Sequence, residues 1–154
     1  MPYNIKLNNP NLAKVIGSID YTPILPAIRT IVDSSIQRNF QAGGRYGNDN
    51  IFGGGSQKWV QSRAAKLRHG RTLIKTSTLL KAIRPEVLFK NGKIDIIVNI
   101  NLDYANIHQY GGVVNHGAGS YRLPARPYIV LQNQDLEFIK NVITKFLKSK
   151  LSNL

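Results

Sequence analysis

The chain has 154 residues, enough for one domain that buries roughly two-thirds of its unfolded surface and folds without a covalent staple. It contains no cysteine, which excludes disulfides and thiolate metal sites and permits a reducing compartment. Twenty-one Lys and Arg against eight Asp and Glu leave a formal charge of +13, a balance suited to nucleic acid, anionic membranes or acidic proteins as partners.

The opening Met1-Pro2-Tyr3-Asn4-Ile5-Lys6 has no long apolar core, so no secretory signal is expected. No apolar run approaches the ~20 residues of a membrane helix, and a soluble protein without a membrane partner is expected. Asn9 and Pro10 suit the start of a short helix over residues 9–18. Thr22 can cap a second helix, with Pro23 and Pro26 in its first turn, where a missing N–H costs little. Ile24, Leu25, Ile28, Ile31, Val32, Ile36 and Phe40 continue it as an apolar stripe, predicting a helix from about Pro23 to Asn39.

Residues 42–56 are rich in Gly and predict a long flexible loop. They lack the Gly-Lys-Ser/Thr sequence of a phosphate-binding loop. Gly43-Gly44-Arg45-Tyr46-Gly47 is one copy of an Arg-Gly pattern, which a flexible loop explains equally well. Ser56 is expected to cap a short helix carrying Trp59, Arg63, Ala64 and Leu67, with Trp59 anchoring it to the core. Thr76 or Thr78 can cap a helical turn before Ile83.

Asn91-Gly92 between two apolar runs predicts a tight hairpin, because both central residues of that turn need positive φ. Ile94, Ile96, Val98 and Ile100 alternate with Lys93, Asp95, Ile97 and Asn99, predicting a strand with one buried face. Tyr104–Tyr110 reads as a further strand or a short helix before Gly111-Gly112. Residues 113–120 read as a loop and 128–131 as a last strand. A C-terminal helix follows: Asn133 as cap, Asp135 and Glu137 in the first turn, an apolar face from Leu136 to Leu147, and lysines towards the end.

Ten basic residues lie between Gln57 and Lys93, opposed only by Glu86. Lys58, Arg63, Lys66, Arg68, Arg71 and Lys75 are therefore candidates to face DNA or an acidic partner. The alternative is a solvated surface.

Two runs are not explained by periodicity: Tyr104-Ala105-Asn106-Ile107-His108-Gln109-Tyr110-Gly111-Gly112 and Pro124-Ala125-Arg126-Pro127-Tyr128. His108 titrates near neutral pH, but no Ser or Cys nucleophile stands near it in sequence. Asp103 and His116 do not complete a metal-ligand spacing either. A hydrogen-bonded structural His beside Gly111 is expected, and the few isolated carboxylates disfavour paired acid–base work. Between Pro124 and Pro127, Ala125-Arg126 is held extended. Arg126 can be a rigidly presented interface or DNA contact, or a structural group bonding backbone carbonyls; a mixture is expected, a structural turn placed near a subunit contact.

Taken with Asn39-Phe40, Trp59, Leu73-Ile74-Lys75-Thr76, Leu79 and Val98-Asn99-Ile100-Asn101, these runs resemble the phage virion morphogenesis family, the tail completion proteins of Mu-like and P2-like contractile-tailed phages. The likeness runs from about residue 20 to the C-terminus. Its specific part is the pair of runs, with Tyr104, His108, Gln109, Gly111, Gly112, Pro124, Arg126 and Pro127 as structural motif residues. The chain departs from the family's Thr-Gly-x-Leu at Thr76-Ser77-Thr78-Leu79.

The resemblance implies a small α+β protein without catalysis or cofactor. It would complete the tail or join head to tail, assemble as a homo-oligomeric ring, and contact phage neck or tail proteins, with the DNA passing through the ring as a further candidate contact. It would reside in the virion, and in the bacterial cytoplasm during assembly. The expected architecture is one domain over residues 1–154: a small antiparallel sheet with N- and C-terminal helices packed on it and a Gly-rich loop at 42–56 that orders on assembly. A nucleic-acid-binding protein using residues 57–93 is the alternative, and an enzyme built on His108 the third.

Overall fold

The structure is a computed structural model that describes residues 10–44, 58–117 and 119–152. Most of the Gly-rich segment, together with Asn9 and Ser56, lies outside the described residues. The element order is α1 (Pro10–Ser18), α2 (Leu25–Ala42), α3 (Arg63–Leu67), α4 (Thr78–Ala82), β1 (Ile83–Lys90), β2 (Lys93–Ile100), α5 (Ala105–Tyr110), β3 (Gly112–His116), β4 (Gly119–Leu123) and α6 (Asn133–Leu151). This is an α+β protein whose described residues form two antiparallel two-stranded sheets, β1–β2 and β3–β4.

A 3-10 turn, Thr22–Ile24, leads into α2, with Pro23 and Pro26 placed where a helix start tolerates a missing donor. α2 buries Ile28, Val32, Ser35, Ile36, Asn39 and Phe40 along one stripe. It ends at Gly43, whose left-handed φ of 64° lets its N–H turn back to the carbonyls of Asn39 and Phe40.

The Asn91-Gly92 hairpin forms as expected, with φ of 53° and 72° at the two turn residues. β1 buries Ile83, Pro85 and Val87 while Arg84, Glu86 and Leu88 face out. Pro85 sits opposite Val98. Having no N–H, it is compatible only with a pair that makes no ladder hydrogen bond, so it marks β1 as an edge strand.

The main core joins Val32, Ile36 and Phe40 of α2 with Trp59, Leu79, Ile83, Ala105 and Tyr128. Phe40 packs edge-on against Trp59 at 5.5 Å and tilted against Tyr128 at 5.4 Å between ring centroids. A second cluster joins Ile24, Ile28 and Val87 with Ile139, Val142, Ile143 and Phe146 of α6. α2 and α6 therefore pack on the β1–β2 hairpin, as expected for the terminal helices.

Four local expectations are corrected. Trp59 anchors the core but precedes its helix; α3 starts later and is capped by Ser62, whose Oγ accepts from Ala65 N at 3.1 Å. Residues 113–120 lie largely in the β3–β4 hairpin. Residues 128–131 form no strand. The cap of α6 is Gln132: its side chain accepts from the Asp135 backbone while Asp135 Oδ2 accepts from Gln132 N at 2.8 Å.

Ser77, standing where the family pattern has Gly, takes the N-cap position of α4 in place of Thr76 or Thr78, with a left-handed φ of 56° and no side-chain cap hydrogen bond. A residue without Cβ adopts that conformation at least cost, which accounts for the pattern and makes Ser77 a strained departure from it.

Candidate functional site

The two runs meet in space. α5 carries the first, and the chain from Pro124 to Gln132 lies against it. Gly111 ends α5 with φ of 73°. A Cβ there would stand 2.8 Å from Ala125 N and 2.9 Å from Leu123 O. Glycine is required both for the backbone angle and for the close approach of the second run. One residue beyond, the Arg126 N–H donates to the His108 carbonyl at 2.7 Å.

The second run is buried without belonging to a sheet, so its backbone polar groups need other partners. Side chains supply them. Gln109 Oε1 accepts from Tyr128 N at 3.0 Å and Ile129 N at 3.1 Å. Asn39 Nδ2 donates to the carbonyls of Tyr128 at 3.1 Å and Val130 at 3.0 Å. Trp59 Nε1 donates to Pro127 O at 3.1 Å. Tyr128 returns a bond of its own, its hydroxyl donating to Ala105 O at 2.9 Å. Burial, with a smaller contribution from Tyr110 and Tyr104, pushes that hydroxyl's pKa up to about 12. The result is a clasp in which two side-chain amides replace a neighbouring strand.

The clasp continues into the start of α6. Gln132 Nε2 donates to Asn39 Oδ1 at 3.1 Å. Buried Asp135 accepts from Ser35 Oγ at 2.7 Å and pairs with Arg38 Nη2 at 3.0 Å. Charge-assisted bonds to a buried carboxylate are among the stronger polar links in a fold, and these tie α2, the second run and α6 together.

Arg126 bears out the structural half of its expectation and corrects the other. It is 3% exposed and its Nε donates to Val60 O at 3.0 Å. It acts as the backbone-bonding turn residue, not as a guanidinium presented to DNA or to a partner. His108 corrects another. Its ring stacks edge-on against Tyr104 at 5.8 Å, but its buried Nδ1 has no hydrogen-bond partner among the described residues. Burial, then the positive charge of Arg126, lowers its pKa and favours the neutral ring. This environment holds a structural imidazole in place. Among the described residues no carboxylate accepts from its Nδ1, the bond that orients a catalytic histidine in an acyl-transfer site.

Of the remaining motif residues, Tyr104 is the N-cap residue of α5 and is partly exposed. Gly112 opens the β3–β4 hairpin, and Pro124 and Pro127 flank the Arg126 turn at intermediate burial. Sequence reasoning missed Gln132 and Ser35. Gln132 had a usable signal in the Gln-x-x-Asp spacing of a capping box; Ser35 had none.

Lys58, Arg63, Lys66, Arg68, Arg71 and Lys75 are all exposed. Two of them also serve the backbone: Lys58 Nζ donates to Ala42 O at 2.6 Å and Arg68 Nη2 to Arg71 O at 2.9 Å. Among the described residues no group of three or more His, Cys, Asp and Glu is arranged to hold a metal ion, and no helix is long and apolar enough to cross a membrane.

Residues 12–148 match the family described as the phage virion morphogenesis family. The chain is also similar to the Mu-like prophage FluMu G protein 2 of Haemophilus influenzae, 32% identical over 113 residues that cover 73% of this chain and 68% of that protein. No solved structure matches. A match over most of the chain identifies a member of the phage virion morphogenesis family with a structural role in virion assembly.

Proposed function

We propose that the protein completes the phage tail or joins head to tail, assembling as a ring of identical subunits that docks on neck or tail proteins in the virion and acts without catalysis or cofactor. The observation that carries this reading is the use made of the family's signature residues. Gly111, Gln109, Arg126 and Tyr128 hold one buried segment in a fixed shape. A part that must fit its neighbours needs a rigid form, and the clasp supplies it. Imaging of particles produced without the protein tests this. Tailless heads or unjoined heads and tails are expected; normal infectious particles would overturn the reading.

A second reading has a specific observation in its favour. All ten basic side chains from Lys58 to Lys93 are exposed. Contact with DNA through this surface should weaken steeply as salt rises, because released counterions drive such binding. Absence of DNA binding at low salt removes it.

A further inference from the structure

We infer that the open edge of β2 receives the β3–β4 hairpin of a second copy of this chain, so that neighbouring subunits are joined by strand addition. The inference rests on the ring-assembly reading above and names the surfaces that would carry it.

The edge follows from register. A two-residue hairpin turn closes on a hydrogen-bonded pair, here Lys90 with Lys93, and bonded and non-bonded pairs alternate from there. Ile94, Ile96, Val98 and Ile100 fall in the non-bonded pairs, so their N–H and C=O groups point away from β1. Pro85, opposite Val98, agrees with this parity because it has no N–H to give. Among the described residues no third strand pairs with β2 and no hydrogen bond reaches those outward groups. β1 is different: Pro85 takes a donor out of its outer edge, a common way to discourage pairing. Among the described residues the sheet therefore has one edge weakened for pairing and one open edge.

The open edge borders a cleft of about 290 Å³ lined by Val98, Asn99, Ile100, Asn106, Tyr110 and Ile129, among others. Tyr110 is 76% exposed beside it, and Ile96 and Ile97 are exposed on opposite faces of β2. An added strand would cover all three.

The same chain carries a segment of matching form. β3 and β4 pack mainly on each other, and an isolated two-stranded hairpin is marginal in water. Val113 is 63% exposed and Tyr121 52%. The five-residue strands reach about 17 Å, close to the ~20 Å spanned by the outward groups of β2. Charge favours this pairing within a strongly basic chain. On and just after β2, exposed Asp95 and Asp103 outweigh the single exposed Lys93, whereas the hairpin carries exposed Arg122. Arm and edge are different surfaces, so the contact is head-to-tail, the kind from which a ring forms when the rotation between copies closes.

Engineered cysteines test the contact, since the chain has none of its own. Cysteine is placed at Ile97 or Asn99 in one full-length copy and at Val113 or Tyr121 in another copy of different mass. A third variant, Lys66→Cys, serves as control on exposed α3. Mixed and oxidised, at least one edge–arm combination should form a covalent heterodimer that arm-with-Lys66 mixtures do not. In parallel, Val113→Asp with Tyr121→Asp should weaken self-association by about tenfold or more while the melting transition stays in place. Assembled mass without edge–arm cross-links overturns the inference and leaves the ring reading standing. A chain that stays monomeric and uncross-linked at all concentrations overturns the inference, while the particle images described above decide separately on virion assembly.

Discussion

Two neighbouring stretches, residues 112–123 and 124–132, have opposite fates. The first is a regular hairpin that leaves Val113 and Tyr121 in solvent. The second has no regular structure, yet it holds Arg126, Tyr128 and Gln132 in the interior and bonds its backbone to Gln109, Asn39 and Trp59. Regularity and integration into the fold are therefore separate properties. A strand ladder satisfies the backbone locally and leaves a hairpin free to project. An irregular segment can be buried only if side chains from elsewhere supply every missing partner, which ties it to the core.

The sharpest way to break this contrast is Gly111→Ala. The substitution combines a left-handed φ with a Cβ driven into the second run, and a loss of about 3 kcal/mol is expected from urea unfolding. Gln109→Ala comes next. It strands the N–H groups of Tyr128 and Ile129 and should cost about 2 kcal/mol in the same measurement. Ser77→Gly acts outside both stretches and relieves a left-handed Ser, so a gain of about 1 kcal/mol is expected.

His108 sharpens the comparison through pH. Its folded pKa lies below the ordinary value of 6.5 because burial and Arg126 disfavour the imidazolium. Its contribution to stability is thus fully present above that value and is lost as pH falls through the folded pKa. Thermal melts of the wild type should decline with acidification across this window more steeply than those of His108→Gln. The smallest effect belongs to the hairpin: Tyr121→Asp should change the unfolding free energy by no more than about 0.5 kcal/mol, since its ring is half in solvent.

Much of the frame was legible in the residues. Asn91-Gly92 fixed its hairpin because few other sequences accept two positive φ angles, and the α2 stripe from Ile24 to Phe40 marked a buried helix face. The two runs were visible as unusual, and their family was legible with them. Their geometry was not. Tyr128-Ile129-Val130-Leu131 reads as a strand on propensity, but its partners are Gln109 and Asn39, far away in the chain and invisible to local patterning. Residues 113–120 read as a loop because glycines at 117 and 119 interrupt a hairpin too short to show alternation. Arg126 could be judged only with Val60 in view, since rigid presentation and burial share the same Pro-flanked sequence.

Pro85 has a further consequence. A sheet with two free edges has a valence of two and can extend without limit, as fibrils do. Pro85 weakens the outer edge of β1, so the β2 edge is the one left for pairing. On the strand-addition proposal above, each copy would accept one hairpin and give one, so copies would add in a single polarity and not from both flanks of one sheet.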